Sequence, residues 1–356
     1  MTPSPLESLQ HATIAVIGFG NQGAAHALNL RDSGLRVIVG ARPDGRSAMR
    51  AETAGFDVRS PNAVIADADL AILSLPDEHL GAIWTEQLAA HCRPGTTIGV
   101  LHGFAVHYQT LRTPKENGVV MVAPKGPGAT LRARFVQGHG IPALVAVHHD
   151  VNHAAARAHA WAHGIGAGRA AIIPTTIGDE TETDLFGEQA VLCGGLAALV
   201  RAAYETLVDA GYPADLAYME CVQEVKQVAD LLYEHGLAGM MDAISNTAEF
   251  GAAIASSRLD DAHLRTTFRE LLDAVRDGSF ARELLDDAAA GSPALSRARA
   301  KWQNHPLETS GHAVRAWLPW LRDPSVDADT PTPPISDVED ADDGRTSSSP
   351  GTPESR

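Results

Sequence analysis

Four carboxylates carry the clearest chemical signal in this chain. Asp184 and Glu188 stand four residues apart, and so do Glu220 and Glu224. On a helix that spacing stacks the two side chains of a pair on one face. Both pairs interrupt apolar runs, over 185–192 and 216–228. Acids gathered in apolar surroundings repel one another and are costly to desolvate. Two divalent cations would cancel that charge, and ligation by oxygen alone favours Mg²⁺ or Mn²⁺ over Zn²⁺. One such pair by itself is ordinarily a solvated helix face. A second pair, and a nucleotide-type loop upstream, point instead to a site.

That loop is Gly18-Phe19-Gly20-Asn21-Gln22-Gly23. It follows a β-branched run, Thr13–Ile17, that suits a buried parallel strand, and it precedes an Ala-rich helix over about 24–32 that ends at Gly34. G-x-G-x-x-G between a strand and a helix is a dinucleotide-binding turn. Gly18 allows the tight turn, Gly20 the approach of a pyrophosphate, and Gly23 close helix–strand packing; the helix N-terminus attracts the phosphate charge. The second strand, Arg36–Gly40, leads to Arg42, Arg46 and Ser47 rather than directly to the acid that NAD sites place there. Those three side chains suit a ribose 2′-phosphate, so the expected cofactor is NADPH, with Asp44 the feature that would serve NADH.

Further strand-like runs at 68–75, 97–101 and 119–123 alternate with helical stretches and predict a doubly wound parallel sheet over 12–175. They end in Pro76-Asp77-Glu78, His102-Gly103-Phe104 and Pro124-Lys125-Gly126-Pro127-Gly128. Ligands bind at the carboxyl ends of such strands. Asp77 and Gly128 are therefore expected beside the cofactor, and His102 and Lys125 on the same side of the sheet. From about Thr181, for which Thr181 or Thr183 is a candidate N-cap, helical periods take over. The organisation read from this is an α/β Rossmann-type domain at 1–177, an all-α metal- and substrate-binding domain at 178–322, and a tail at 323–356. The tail holds nine acids against two bases and is rich in Pro, Ser and Thr, so disorder is expected there.

The net charge of −16 argues against nucleic-acid binding. No unbroken apolar run of about 18 residues suggests a membrane span. Residues 1–10 lack the basic and apolar regions of a signal peptide. Three scattered cysteines, Cys92, Cys193 and Cys221, read as reduced thiols in a cytoplasmic protein.

The chain resembles the ketol-acid reductoisomerase (acetohydroxyacid isomeroreductase) family in its short, class I form. The resemblance rests on 16–23, 27–34, 123–128, the long run 180–195 and 244–249, with a weaker match that reaches about Leu321. It implies Mg²⁺-dependent alkyl migration in 2-acetolactate or 2-aceto-2-hydroxybutyrate. NADPH reduction then gives a 2,3-dihydroxy acid of branched-chain amino-acid biosynthesis. It implies two Mg²⁺ held by Asp184, Glu188, Glu220 and Glu224, with Glu188 also a proton shuttle, Lys125 and His102 catalytic, and Ser245 on the substrate carboxylate. It further implies a homodimer or a higher assembly of dimers, and a knotted helical domain.

Near these positions the chain departs from the family pattern. Phe19 stands for Tyr, Asn21 for Ser, and Ala24, Ala129 and Gln223 each for His; Ala105-Val106 stand for Asn-Ile, Ala243 for Ser and Phe250 for Tyr. Such changes beside ligands tune metal sites. Two alternatives stay open: a paralogue for a related 2-hydroxy-2-acyl acid in specialised metabolism, and a non-catalytic NADP-binding relative.

Overall fold

The computed structural model describes residues 4–322; the acidic tail lies outside them. Eight strands form one sheet: β1 (Thr13–Ile17), β2 (Arg36–Gly40), β3 (Val58–Arg59), β4 (Leu70–Leu73), β5 (Thr97–Val100), β6 (Gly118–Pro124), β7 (Ala143–His149) and β8 (Ile172–Pro174). Their order is β3-β2-β1-β4-β5-β6-β7-β8. All neighbours run parallel except β6 and β7. The sequence reading did not place β3, β7 or β8.

Seven helices accompany the sheet: α1 (Asn21–Asp32), α2 (Arg46–Thr53), α3 (Pro61–Asp67), α4 (Asp77–Ile83), α5 (Phe104–His107), α6 (Gly128–Val136) and α7 (Ala154–Gly164). Strands buried on both faces give continuous apolar runs, and successive side chains serve opposite layers. Along β1, Ile14 and Val16 join Leu30 of α1 and Trp161 of α7, whereas Ala15 and Ile17 join Val64 of α3 and Leu80 of α4. The strand order reverses direction between β1 and β4, which opens a crevice at their carboxyl ends.

The rest is helical: α8 (Ile177–Gly187), α9 (Gly194–Asp209), α10 (Ala214–Tyr218), α11 (Val225–Asp242), α12 (Asn246–Leu259), α13 (Ala262–Arg276), α14 (Ser279–Ala289), α15 (Pro293–Gln303), α16 (Pro306–Trp317) and α17 (Pro319–Arg322). Helix α8 starts earlier than the expected caps. Thr176 Oγ1 accepts from Asp179 N–H at 3.0 Å, while the Thr181 and Thr183 hydroxyls bond back to the carbonyls of Ile177 and Asp179 inside the helix. A four-residue spacing leaves those hydroxyls facing their own preceding turn.

Phe104 of α5 packs with Leu185 of α8, Val275 of α13 and Ala281 of α14, which ties the helices to the sheet. Much of the helical part is uncovered: Leu192, Leu199, Tyr233, Leu237 and Phe250 are all more than half exposed. By length and composition alone the continuous helical path Ile177–Asp209 is apolar enough to cross a membrane, a feature that a packed helix of a globular fold can share. Its first turns, however, are bonded to the sheet through Glu180 and Asp184.

Candidate functional site: a nucleotide cleft beside an acid–lysine–histidine cluster

Gly18 leaves β1 at φ +97, and a Cβ there would lie 2.1 Å from the Ser74 carbonyl oxygen. Only glycine fits that turn. Gly23 presses on the same corner, where a Cβ would come 2.3 Å from Gly18 O. Gly20 differs: a Cβ there meets no protein atom within 4 Å, so the space over the start of α1 is open. A cleft of about 610 Å³ adjoins the turn, lined by Gly18, Phe19, Gly20, Arg42, Arg46 and Ser47 among others. Asp44 does not line it. Asn21 is the first residue of α1, and the Gln22 amide donates to Gly126 O at 2.9 Å. Gly128 opens α6 so close to α1 that a Cβ would fall 2.2 Å from Asn21 O. The open space over Gly20, two arginines on the wall and a helix N-terminus at the turn fit a dinucleotide.

The second feature lies at the carboxyl ends of β5 and β6, where both strands deliver cations to the first turns of α8. Glu180, only 1% exposed, accepts from His102 Nδ1 (3.0 Å), Gly103 N–H (3.0 Å) and Lys125 Nζ (3.2 Å). Lys125 also donates to Asp184 Oδ1 at 2.6 Å, and His102 Nδ1 lies 3.6 Å from Asp184 Oδ2. His102, Glu180 and Asp184 form the metal-sized group of ligand atoms among the described residues.

Charge pairing decides the protonation states here. Burial penalises the charged form of each group, but the bonds override it for three of them. His102 rises above its ordinary pKa because Glu180, then Asp77 and Asp184, favour the imidazolium. Lys125 rises through Asp184 and Glu180. Glu180 falls, held by His102, Lys125 and the Gly103 N–H. Two acids remain without a bonded cation. Burial, with help from Asp184, pushes Glu188 up. Burial raises Asp77 to about 6, partly offset by His102.

The structure thus brings His102, Lys125 and Asp184 together, with Glu188 one helical turn beyond. Asp77 opens α4 and interacts with His102, Glu180 and Glu188; it does not line the nucleotide cleft. Glu220 and Glu224 are exposed and outside the cluster, and so is Ser245, whose hydroxyl caps α12 by accepting from Ala248 N–H. Each acid pair also meets a π-turn. Residues Glu188–Leu192 and Met219–Gln223 close i→i+5 bonds, Cys193 N–H to Glu188 O at 2.9 Å and Glu224 N–H to Met219 O at 3.2 Å. Such bulges re-aim side chains and recur at functional sites. The residue missed from the sequence is Glu180. Its spacing from Asp184 is the same four residues that drew attention to Glu188, so extending that ladder one turn back would have found it.

Residues 8–171 match the family model described as acetohydroxy acid isomeroreductase, NADPH-binding domain, and 177–320 match that of ketol-acid reductoisomerase, C-terminal domain. The fold is similar to the structure of an NADH-preferring ketol-acid reductoisomerase from an uncultured archean, at 37% identity and TM-score 0.84, covering 87% of this chain and 95% of that one. A semialdehyde dehydrogenase NAD-binding protein from Cupriavidus necator shares the fold alone, at 20% identity and TM-score 0.58, over 75% of this chain and 99% of that one.

Proposed function

The chain belongs to the ketol-acid reductoisomerase family, and on that premise we propose that it converts 2-acetolactate or 2-aceto-2-hydroxybutyrate to the 2,3-dihydroxy acid using NADPH and two Mg²⁺. The observation that carries this reading is the cluster of Lys125, Glu180, Asp184 and His102 beside the nucleotide cleft, at the carboxyl edge of one sheet. Such a site must polarise two neighbouring oxygens, move a proton from a tertiary hydroxyl, and then receive a hydride.

Asp184 and Glu188 offer oxygen donors only, which suits Mg²⁺. When bound, the two ions supply Lewis acidity at the substrate oxygens; NADPH, when bound, supplies the hydride. Glu188, one turn beyond Asp184 on the same helical path, is placed to take and return a proton beside the ions. Lys125 is held charged beside Asp184 and stabilises negative charge developing on substrate oxygen. Glu180 fixes His102 in place through Nδ1, so that Nε2, buried and without a protein partner, is the ring atom left for proton transfer.

A second copy completes the site in this reading. Glu220, Glu224 and Ser245 are exposed in one chain, on a domain whose Leu199, Tyr233, Leu237 and Phe250 are uncovered. Pairing of helical domains would cover that surface and bring these groups to the cluster. A cytoplasmic location remains part of the proposal.

The NADPH choice rests on Arg42, Arg46 and Ser47 lining the cleft while Asp44 does not. Replacing Arg42 and Arg46 together with Ala is expected to lower kcat/KM for NADPH roughly 10- to 100-fold, the worth of charge-assisted hydrogen bonds, and to leave NADH almost unaffected. An equal loss with both cofactors would remove the 2′-phosphate assignment. The whole reading is tested by oxidation of NADPH with 2-acetolactate, with Mg²⁺ and with chelator, and with the product identified by mass. Mg²⁺-dependent formation of 2,3-dihydroxyisovalerate supports it. Turnover unaffected by chelation would refute the metal part. Turnover only with bulkier 2-hydroxy-2-acyl acids would favour the specialised substrate that the Ala24, Ala105, Ala129 and Gln223 departures suggest.

A further inference from the structure

We infer that Gln22 is a positioning residue that makes the placement of Lys125 depend on the occupied cofactor turn; the inference rests on the cofactor and site reading above. Gln22 stands in the first turn of α1, inside the glycine motif, yet its side chain leaves the nucleotide cleft and reaches the Lys125 loop. Nε2 donates to Gly126 O at 2.9 Å, across 104 residues of chain. The loop's backbone is held elsewhere too: Gly126 N–H donates to Pro124 O at 3.1 Å. Lys125 N–H donates to Pro142 O at 2.8 Å, and Gly126 turns at φ +159. Two residues on, Gly128 abuts the first residue of α1: a Cβ would lie 2.2 Å from Asn21 O and 3.0 Å from Gln22 N. The cofactor turn and the Lys125 loop are therefore one packed corner, with the Gln22 amide as its polar link.

From that corner Lys125 reaches Asp184 (2.6 Å) and Glu180 (3.2 Å), and Glu180 holds His102 (3.0 Å). A shift of the loop thus moves the amine that neutralises the cluster. The other end of the same amide points to what drives the shift. Gln22 Oε1 is buried and accepts from no protein donor. A buried acceptor needs a donor, and a hydroxyl or amide N–H of a cofactor bound at the turn is of the right class. Satisfying Oε1 fixes the amide plane, which fixes Nε2 against Gly126. Unlike Gly18 or Gly20, Gln22 acts here through Lys125 and not on the phosphates.

The test is amide hydrogen exchange on the full chain, with and without the preferred one of NADP⁺ and NAD⁺, for the natural protein and for Gln22→Met. Met keeps the length and bulk of the side chain and removes both polar ends. In the natural protein the cofactor is expected to slow exchange in 18–24 and also in 124–131. In Gln22→Met it should slow only 18–24, and kcat at saturating cofactor should fall about tenfold or more, beyond the weaker cofactor binding that loss of the Oε1 contact itself brings. Protection of both segments in Gln22→Met, or of 18–24 alone in the natural protein, would overturn the inference and leave the cofactor reading standing. No protection of 18–24 in the natural protein would overturn both.

Discussion

A carboxylate that is 1% exposed and faces three donors, as Glu180 does with His102, Lys125 and Gly103 N–H, is held charged by its partners. It sets the position of two cations without offering a free oxygen to a substrate. Supporting groups of this kind typically change metal affinity or activity 10- to 100-fold when removed. Glu180→Gln is therefore expected to lower Mg²⁺-dependent turnover by that order while the cofactor still binds; titration of Mg²⁺ against turnover and cofactor fluorescence checks both halves.

His26 is the opposite case, a buried base with no role in the site. Its Nδ1 accepts from Trp161 Nε1–H at 2.9 Å and its Nε2 has no partner. Burial lowers its pKa from 6.5 to about 3. Above pH 6.5 neither the folded nor the unfolded chain protonates it. Between 6.5 and 3 the unfolded chain takes the proton and the folded chain does not. Stability is thus lost as pH falls through that window, by about 1.4 kcal/mol per pH unit. His26→Phe should shrink the difference in urea-unfolding free energy between pH 7 and pH 5 by about 2 kcal/mol. An unchanged difference would mean that the folded protein protonates this ring.

Among the elements, the glycine turn separates fold from ligand in two adjacent positions. Gly18 is required by the backbone: φ +97 costs a side-chain-bearing residue about 1–2 kcal/mol, and the contact with Ser74 O adds to it. Gly20 meets no such opposition, since no protein atom lies within 4 Å of a Cβ there, and in the proposed reading it is the ligand that needs the space. Gly18→Ala should lower the melting temperature, whereas Gly20→Val should leave it nearly unchanged and abolish cofactor binding. Calorimetry with and without cofactor distinguishes the two, and a Gly20→Val protein that still binds normally would displace the phosphate from this turn.

The same turn was the most legible part of the sequence, because strand, glycines and helix are contiguous and each is written locally. β7 and β8 were not legible. β7 ends in two histidines with Val147 exposed, β8 has three residues including Pro174, and antiparallel pairing of β7 with β6 is a long-range choice. The acid pairs were legible as spacing, but their π-turns were not, since a four-residue interval reads the same whether the ladder closes at i+4 or i+5. Glu220 and Glu224 were expected to converge with Asp184 and Glu188, and within one chain they stay exposed and apart. Spacing along a chain carries no information about which surface a second copy would cover in the proposed pairing.

For the whole molecule, the uncovered apolar residues of α9, α11 and α12 are what the proposed pairing of helical domains would cover. Leu199, 58% exposed on α9, tests the pairing reading directly. Leu199→Arg should reduce the particle mass seen by light scattering and abolish Mg²⁺-dependent turnover, while cofactor binding survives because the cleft lies wholly in the sheet part. A variant that keeps its mass and its activity would place the interface elsewhere.

The tie between Phe104, Leu185, Val275 and Ala281 bears on how this polypeptide could be cut. Two segments match separate descriptions, yet they are poor candidates for separate lives. Severed near 176, the leading piece would show a bare Phe104 to water and leave His102 and Lys125 facing solvent where Glu180 and Asp184 had been. The trailing piece would begin at a helix deprived of its Thr176 cap and of both its cations. Gene halves supplied in trans should therefore give insoluble or swiftly degraded products unless they find each other during synthesis, and the join between them should resist insertion far more than a surface linker of similar position would.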